Sequence, residues 1–553
     1  MSPIQIEVAV STWRNSVGTR GMESVAAIRA SPESAVLFES TTLPDGGEQL
    51  REDAPKAAER EIPWSDLLGG LDRTSSSLQS ALRNSLADSI LQGRLPPGTR
   101  LPSTRVLASQ LRVARITVSM AYDALELEGL VVVRQRSGHY VARRLWPEQA
   151  ALHEPAEADL RPNWASYFPP LPQGEKRLER PRQWQKYRFP FVYGQADQEL
   201  FPLADWRECS RLAQATPDSS HWSSDEFDSD DPFLVEQLCS NLLPQRGITA
   251  SPDEVLITMG SQMGAYLLSE LLVRSGSTVA FEDPGYTEAR NLFLRREANL
   301  LPMVVDEQGA VPPETLEQRS LIYLTPSHQC PTGATLATER RTGFLELARR
   351  TDSLIVEDDY DSQADFQDSP APALKASDQT GHVLYLGSFS KIFAPGLRLG
   401  YLVADRDLIE RARHLRRLII RHTPGNNQRA LALFLARGHY ERLSNKYRAF
   451  LQEKAHEISE TVRRYLPTWQ FREPQGGSAL WVQGPSGTDM TALAVDARRK
   501  GLLLESGESF FQAEQPPKEF ARLAYSTIDR DLIEPGIRLL AQLVWEQRNR
   551  FER

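Results

Sequence analysis

Cysteine is scarce in this 553-residue chain: Cys209, Cys239 and Cys330 are the only three, an odd number at no metal-ligand spacing. That argues against a disulfide framework, offers no metal site and favours a reducing compartment. Long apolar runs are missing too. None approaches the ~18 residues that a transmembrane helix requires, so no membrane association is expected. The opening MSPIQIEVAVSTWRN has no basic start followed by an apolar stretch, so a signal peptide is not expected and the cytoplasm is the expected location. Positive charge is in overall deficit, 64 basic against 73 acidic side chains, and a net charge of −9 gives the chain as a whole no attraction for polyanions. Lysine is absent altogether from Leu71 to Arg144, yet that stretch is basic. It holds eleven arginines against Asp72, Asp88, Asp123, Glu126 and Glu128, a net of +6 that leaves −15 for the rest. A basic island in an acidic chain is what a local nucleic-acid-binding module produces; a solvated charged face is the plainer alternative.

The apolar and charged fractions, 40% and 25%, are ordinary for globular protein, and the length leaves room for several domains. Residues 1–62 are polar and rich in turn formers, a poorly ordered tail in which Met22 is an alternative start. Residues 63–145 hold the arginine-rich module. Residues 146–188, with PEQAALHEPAEADLRPNW and FPPLPQGEKRLERPRQW, have the prolines and charges of an extended linker. From 189 to 553, helical segments alternate with apolar runs such as EVLITMG, STVAFEDPGY, SLIYLTPS, SLIVEDDY and VLYLGS. That alternation predicts a mostly parallel sheet covered on both faces, with ligands gathered at the carboxyl ends of its strands. EDPGY, TPSHQ, EDDY and GSFSK all fall at such ends.

Within the basic module, Ser103 is placed to cap a short helix carrying Val106 and Leu107. A turn through Leu111 to Ala114 leads to a second helix, where Val118, Ala121, Tyr122 and Leu125 share one face as core. Arg115, Thr117 and Ser119 occupy its polar N-terminal end, and Gly129 stops it. LVVVRQRSGHYVARR then reads as a two-stranded wing turning at Ser137-Gly138. Spacing alone does not assign such a helix pair to DNA. LPSTRVLA, ITVSMAYDALELEGL and SGHYV, however, closely resemble the GntR-type winged helix-turn-helix, over about Ser77 to Arg144. The resemblance implies double-stranded DNA as a partner, with contacts from Arg105, Arg115 and Gly138, and with Thr117 as a further candidate. Two departures stand out. Arg112 replaces a usual turn glycine, which strains the turn or adds a phosphate contact, and Ala114 replaces a serine hydroxyl.

The second constellation centres on GSFSKIFAPGLRLGY, residues 387–401. A desolvated lysine, or one near another cation, deprotonates near neutral pH and couples to carbonyls. Beside Lys391, the hydroxyls of Ser388 and Ser390 and the donor fork of Arg398 suit a phosphate. Gly260, Ser261 and Gln262 open an apparent helix, a second anion-binding element. Asp358 ends an apolar strand, where a carboxylate can keep a pyridine nitrogen protonated, and Tyr286 is an aromatic that can stack on a flat ring. Singly, each has a bland reading as a turn hydroxyl, a strand-end acid or a core ring; the ordered set is more telling.

This set resembles the fold-type-I pyridoxal-phosphate enzymes of the aspartate-aminotransferase-like superfamily. The resemblance implies pyridoxal 5'-phosphate as cofactor, held through Lys391 as an internal aldimine. It also implies Asp358 on the pyridine nitrogen, Tyr360 on the ring hydroxyl, and Gly260, Ser261, Gln262, Ser388, Ser390 and Arg398 around the phosphate. Tyr286 then stacks on the ring, and Arg522 binds a carboxylate of the ligand. The order of domains resembles the MocR (GabR-type) subfamily of GntR-type transcription regulators. The fold implied is a mostly α winged helix-turn-helix followed by an α/β fold-type-I domain with a small C-terminal α+β subdomain. A domain-swapped homodimer is implied as well, in which a small amine or amino-acid effector exchanges at Lys391 and shifts DNA binding.

Departures bear on catalysis. The Asn-Pro-Thr-Gly of aminotransferases reads Cys330-Pro331-Thr332-Gly333, which removes an amide donor and leaves Tyr360, with His328 and Gln329 as candidate effector contacts or packing residues. Phe227 has no hydroxyl where one subunit's tyrosine reaches the other's phosphate. These losses count against full turnover. An aminotransferase with an appended DNA-binding domain, and a sensor of pyridoxal phosphate itself, stay open as alternatives.

Overall fold

Short local signals place the first helices. Ser77 accepts from the Ser80 N–H and Ser103 from the Val106 N–H, both at 3.3 Å, which starts α1 (Leu78–Leu91) and α2 (Thr104–Leu111). A third helix, α3 (Arg115–Leu127), stops at Gly129, whose φ of +68° suits glycine, and strands β1 (Val131–Arg134) and β2 (Gly138–Val141) pair antiparallel with Arg134 opposite Gly138. The computed structural model describes residues 64, 77–134, 137–142, 162–178, 181–192, 200–215, 222–225, 228–367 and 369–551; the expectations made for residues 1–62 and for Phe227 lie outside them. Among the described residues no helix is long and apolar enough to cross a membrane.

The chain divides into two units, residues 1–162 and 163–553. The core of the first is built from Leu82, Leu86, Leu107, Val118, Tyr122, Leu125 and Val141. The four positions assigned to the inner face of α3 are all buried there. Val106 is turned outward and half exposed, so α2 packs through Leu107, Ala108 and Leu111 instead. Tyr122 fixes the module by donating to the Pro102 carbonyl at 3.0 Å.

In the second unit, β3 (Phe189–Phe191) and α4 (Leu203–Ala213) precede an eight-stranded sheet. Its elements are β4 (Val255–Thr258), α5 (Ser261–Leu272), β5 (Thr278–Asp283), α6 (Thr287–Arg295), β6 (Asn299–Asp306), β7 (Gly309–Ala310), β8 (Leu321–Leu324), α7 (Thr338–Thr351), β9 (Leu354–Asp359), β10 (Val383–Ser388), β11 (Gly400–Val403) and α8 (Arg406–Ile420). The order is β4-β11-β10-β9-β8-β5-β6-β7, parallel from β10 through β6 and antiparallel at β4, β11 and β7. Leu384 and Leu386 of β10 face the side covered by α5 and α8, and Tyr385 faces the other, the period-two alternation of a strand buried on both faces. Helices α9 (Gly425–Ala436) and α10 (His439–Tyr465) lead to a five-stranded sheet. This sheet holds β12 (Gln470–Phe471), β13 (Ala479–Gln483), β14 (Leu502–Ser506) and β15 (Phe520–Ala524), ordered β12-β13-β15-β14-β3, with α11 (Met490–Arg499) and α12 (Arg530–Phe551) beside it. The C-terminal subdomain therefore borrows β3 from the start of the unit.

Part of the stretch expected to run free as a linker is anchored. Lys176 Nζ donates to the carbonyls of Phe511 and Ala513 at 2.9 and 3.0 Å. Its backbone is held from both sides by the Asn291 amide, and Glu175 pairs with Arg295 at 2.8 Å.

Candidate functional site

The parallel strands deliver their carboxyl ends to one cavity of about 210 Å³. Gly260, Ser261 and Gln262 enter it from the start of α5, Tyr286 from just before α6, Asp358 and Tyr360 from the end of β9, and Ser388, Ser390 and Lys391 from the end of β10. Arg398 and Arg522 complete the set of expected residues that line it, together with Leu178, Glu288, Cys330, Pro395 and Phe510. The backbone is shaped for close approach. Gly260 has a φ of +81°, and a Cβ there would come within 3.1 Å of the Arg398 guanidinium, which donates to the Met259 carbonyl at 2.8 Å. Gly387 has no such freedom to lose, but a Cβ there would drive into the Tyr401 ring at 2.1 Å.

Burial governs the electrostatics. Three consecutive acids end β9, and each is handled differently. Glu357 is buried and accepts from the backbone N–H groups of Leu374 and Lys375 at 2.7 and 2.8 Å. Asp359 pairs with Arg246 at 2.9 Å and accepts from Tyr385 at 2.7 Å; against the upward push of burial, Arg246 holds its carboxyl below the usual range. Asp358 has only Tyr323, whose phenol donates to Oδ2 at 2.5 Å, while Oδ1 is buried without a partner. Burial pushes this carboxyl up to about 7, with the Tyr323 bond and the Lys391 charge pulling the other way. Lys391 Nζ lies 5.3 Å from the centroid of the Tyr360 ring. Burial pushes the Tyr360 phenol well above its ordinary range, so it stays a neutral donor. The Tyr286 phenol donates to Gln262 Oε1 at 3.1 Å. Among the described residues no group of His, Cys, Asp or Glu is arranged to hold a metal ion.

In the first unit, Arg105, Arg112 and Arg115 are exposed around the start of α3, and Arg115 Nε donates to Thr104 Oγ1 at 3.3 Å. Thr117 is half-buried, and Gly138 sits at the wing turn with a φ of +107°. Ala114 provides no side-chain cap for α3. Arg112 takes the left-handed conformation, φ 52° and ψ 48°, which a turn glycine would occupy without strain.

Residues 78–141 match the bacterial regulatory proteins of the gntR family, and residues 205–539 match aminotransferase class I and II. The chain is 42% identical over 466 residues to the HTH-type transcriptional regulator TauR of Rhodobacter capsulatus, across 84% of this chain and 96% of that protein. It is 30% identical over 486 residues to the probable rhizopine catabolism regulatory protein MocR of Rhizobium meliloti, across 85% of this chain and 94% of that protein. This chain belongs to the MocR subfamily of GntR-type transcription regulators. It is thus a transcriptional regulator with a DNA-binding winged helix-turn-helix and an aminotransferase-like domain. Among solved structures, the second unit is similar to the α-aminoadipate aminotransferase LysN of Thermus thermophilus, complexed with N-(5'-phosphopyridoxyl)-L-leucine. The TM-score is 0.62 at 26% identity, over 70% of this chain and 99% of that one. A kynurenine aminotransferase of Pyrococcus horikoshii, in complex with PMP, gives a TM-score of 0.63 at 25% identity, over 70% of this chain and 98% of that one.

His328 and Gln329, candidate effector contacts of this MocR-type regulator, do not line the cavity. Gln329 is buried and turned inward: its amide nitrogen donates to Glu282 Oε2 and the Pro284 carbonyl at 3.1 and 2.8 Å, and its oxygen accepts from Thr332. His328 is buried against Gly476, where a Cβ would come within 2.2 Å of its ring. Cys330 does line the cavity, and burial pushes its thiol up to about 11, so it presents a neutral S–H where aminotransferases have an amide. Arg522 was expected to meet a ligand carboxylate, and it already holds one from the protein: Glu505, its cross-strand neighbour, at 2.7 Å with both side chains buried. Sequence signals for Glu505, Leu178 and Phe510 were weak. Only the general rule that a buried arginine needs an acid could have pointed to Glu505.

Proposed function

We propose that this regulator is pyridoxal-phosphate-dependent and senses a small amine or amino-acid effector by exchange at Lys391. The carrying observation is that Lys391 shares its cavity with a buried carboxylate oxygen, Asp358 Oδ1, that has no partner. Such an orphaned acceptor fits a protonated pyridine nitrogen. The start of α5 with Ser261 and Gln262, joined by Ser388, Ser390 and Arg398, fits a phosphate, and Tyr286 offers a flat face. Pyridoxal phosphate, when bound, supplies an aldehyde that couples reversibly to primary amines.

The chain's own residues divide the work. Lys391 Nζ is the amine that an effector amine replaces. Asp358 keeps its proton-accepting oxygen out of water and ready for a cation. The neutral Tyr360 phenol would donate to the ring oxygen of a bound cofactor without the help of an amide, because Cys330 stands in that place. Arg522 orients an acidic group of the effector, with one guanidinium nitrogen committed to Glu505. Cys330 supports sensing over turnover. In the first unit, Arg105 and Arg115 meet DNA beside the start of α3 and Gly138 from the wing, with Thr117 as a further contact. The chain acts as a homodimer, so that two such modules address two half-sites.

Titration of the cofactor-loaded full chain with a panel of primary amines, followed by absorbance and by DNA affinity, tests this reading. One amine is expected to change the spectrum and the affinity together. A Lys391→Ala protein that kept the same covalent cofactor spectrum would remove the central claim, and sustained keto-acid production would favour an aminotransferase.

A further inference from the structure

Helix α3 exposes apolar side chains where a surface helix usually carries polar ones. Ile116 is 65% exposed, Met120 45% and Leu127 90%. At 100° per residue these three lie within about 40° of one another, directly opposite Val118, Ala121, Tyr122 and Leu125, which are buried. The face is not uniform in charge. Exposed Arg105, Arg112 and Arg115 surround its N-terminal end, while exposed Asp123 and Glu126 occupy its C-terminal half and Glu128, beyond its end, is paired with Arg83. A polyanion therefore accepts the first two turns of the helix and repels the last, and the positive end of the helix dipole acts in the same sense. Ile116 and Met120 lie on the attractive part; Leu127 does not.

An apolar side chain at the floor of a major groove has its best partner in the C5-methyl group of thymine, the largest apolar group on any major-groove base edge. We infer that Ile116, with Met120 one turn later, reads thymine methyl groups in the operator, and that these two residues set sequence preference between the arginine contacts. Four residues of helix advance about 6 Å, so the two thymines lie roughly two base pairs apart. The arginines supply affinity and the apolar pair supplies discrimination. This rests on the first unit's binding duplex DNA through α3.

Full-length protein is used to select duplexes from a randomised pool, and the enriched sequence is resynthesised with each thymine replaced in turn by deoxyuridine, which removes only the methyl group. Wild-type protein is expected to lose about fourfold in affinity at one or two positions, the factor for burying one methyl-sized group. Ile116→Ala is expected to bind the thymine and uracil duplexes equally at one of them, and Ile116→Val to retain part of the difference. Equal binding by wild type at every position overturns the inference, as does an unchanged methyl effect in Ile116→Ala. A change in oligomeric state in Ile116→Ala with the methyl effect intact would make this face a contact between copies, which also overturns it. Failure of wild type to enrich any sequence would sink the DNA-reading role itself, a result distinct from enrichment without methyl dependence.

Discussion

The two units of this regulator place charge in opposite ways. The winged-helix unit keeps its candidate DNA-contacting arginines on the surface: Arg105, Arg112 and Arg115 are all exposed. The second unit buries its charge: Asp358, Asp359, Arg246, Glu505 and Arg522 are all buried, and the protonation of most is displaced by burial or by a partner. A polyanion many charges long is met by adding surface cations. A small ligand offers few contacts, and each counts only where water is excluded and the protein's groups are already oriented. Function in the first unit is therefore separable from stability, and in the second the two are entangled.

Substitutions can break that contrast, and the largest effect is expected at Glu505. Burial would draw the proton affinity of Arg522 down, and Glu505 holds it up. Glu505→Ala leaves a buried guanidinium without its 2.7 Å partner. A loss of about 3–5 kcal/mol is expected in urea unfolding of the full chain, with a smaller loss for Glu505→Gln. A loss under about 1 kcal/mol would mean that the pair is solvated and that the entanglement is overstated.

Asp358 sharpens the same point with the opposite sign. Its carboxyl titrates near 7 in the fold and near 3.8 unfolded, so the fold binds the extra proton between those values. Its contribution favours folding at low pH and is lost as pH rises toward 7. Asp358→Asn is expected to stabilise the cofactor-free protein by on the order of 1–3 kcal/mol at pH 8, with little gain at pH 4, while weakening cofactor retention at least tenfold. Unfolding at the two pH values and equilibrium dialysis of the cofactor measure both. Equal gains at pH 4 and pH 8 would place the cost elsewhere.

How far the sequence reveals each unit follows from the same contrast. That Lys391, Asp358 and Ser261 line one cavity is legible in the sequence because each sits where a strand meets a turn, so local pattern and chemistry coincide. Leu178 and Lys176 are not: their composition is that of a linker, and the carbonyls that hold Lys176 lie more than 330 residues away in sequence. Gln329 and His328 do not line the cavity, since adjacency to Cys330 says nothing of direction, and the Gln329 amide is claimed by Glu282 and Pro284. The Glu505–Arg522 pair depends on the register of β14 against β15, which no local pattern encodes. In the first unit, by contrast, helical period and caps carried almost everything except the outward turn of Val106.

A surface arginine should behave differently from all of these. Arg105→Ala is expected to change stability by no more than about 0.5 kcal/mol. It should nevertheless weaken DNA binding and reduce the slope of log affinity against log salt by about 0.9 if one phosphate contact is lost. Fluorescence anisotropy over a salt series, with a thermal melt as control, separates the two effects. A destabilised Arg105→Ala protein would show that the first unit is entangled as well.

Arg112 is the one functional candidate of the first unit that carries a backbone cost. Its φ of 52° is a conformation that glycine adopts freely and arginine does not. Arg112→Gly should therefore gain stability, by about 0.5–1 kcal/mol, because relief of the left-handed strain outweighs the extra freedom glycine brings to the unfolded chain. If the guanidinium touches a phosphate, the same change lowers DNA affinity and flattens its salt dependence, whereas Arg112→Lys keeps both the charge and the strain. A stabilised Arg112→Gly protein with weaker, less salt-dependent binding would show that the turn tolerates an unfavourable conformation to keep a charge beside the recognition helix. Unchanged DNA binding in that variant would leave the strain without a function.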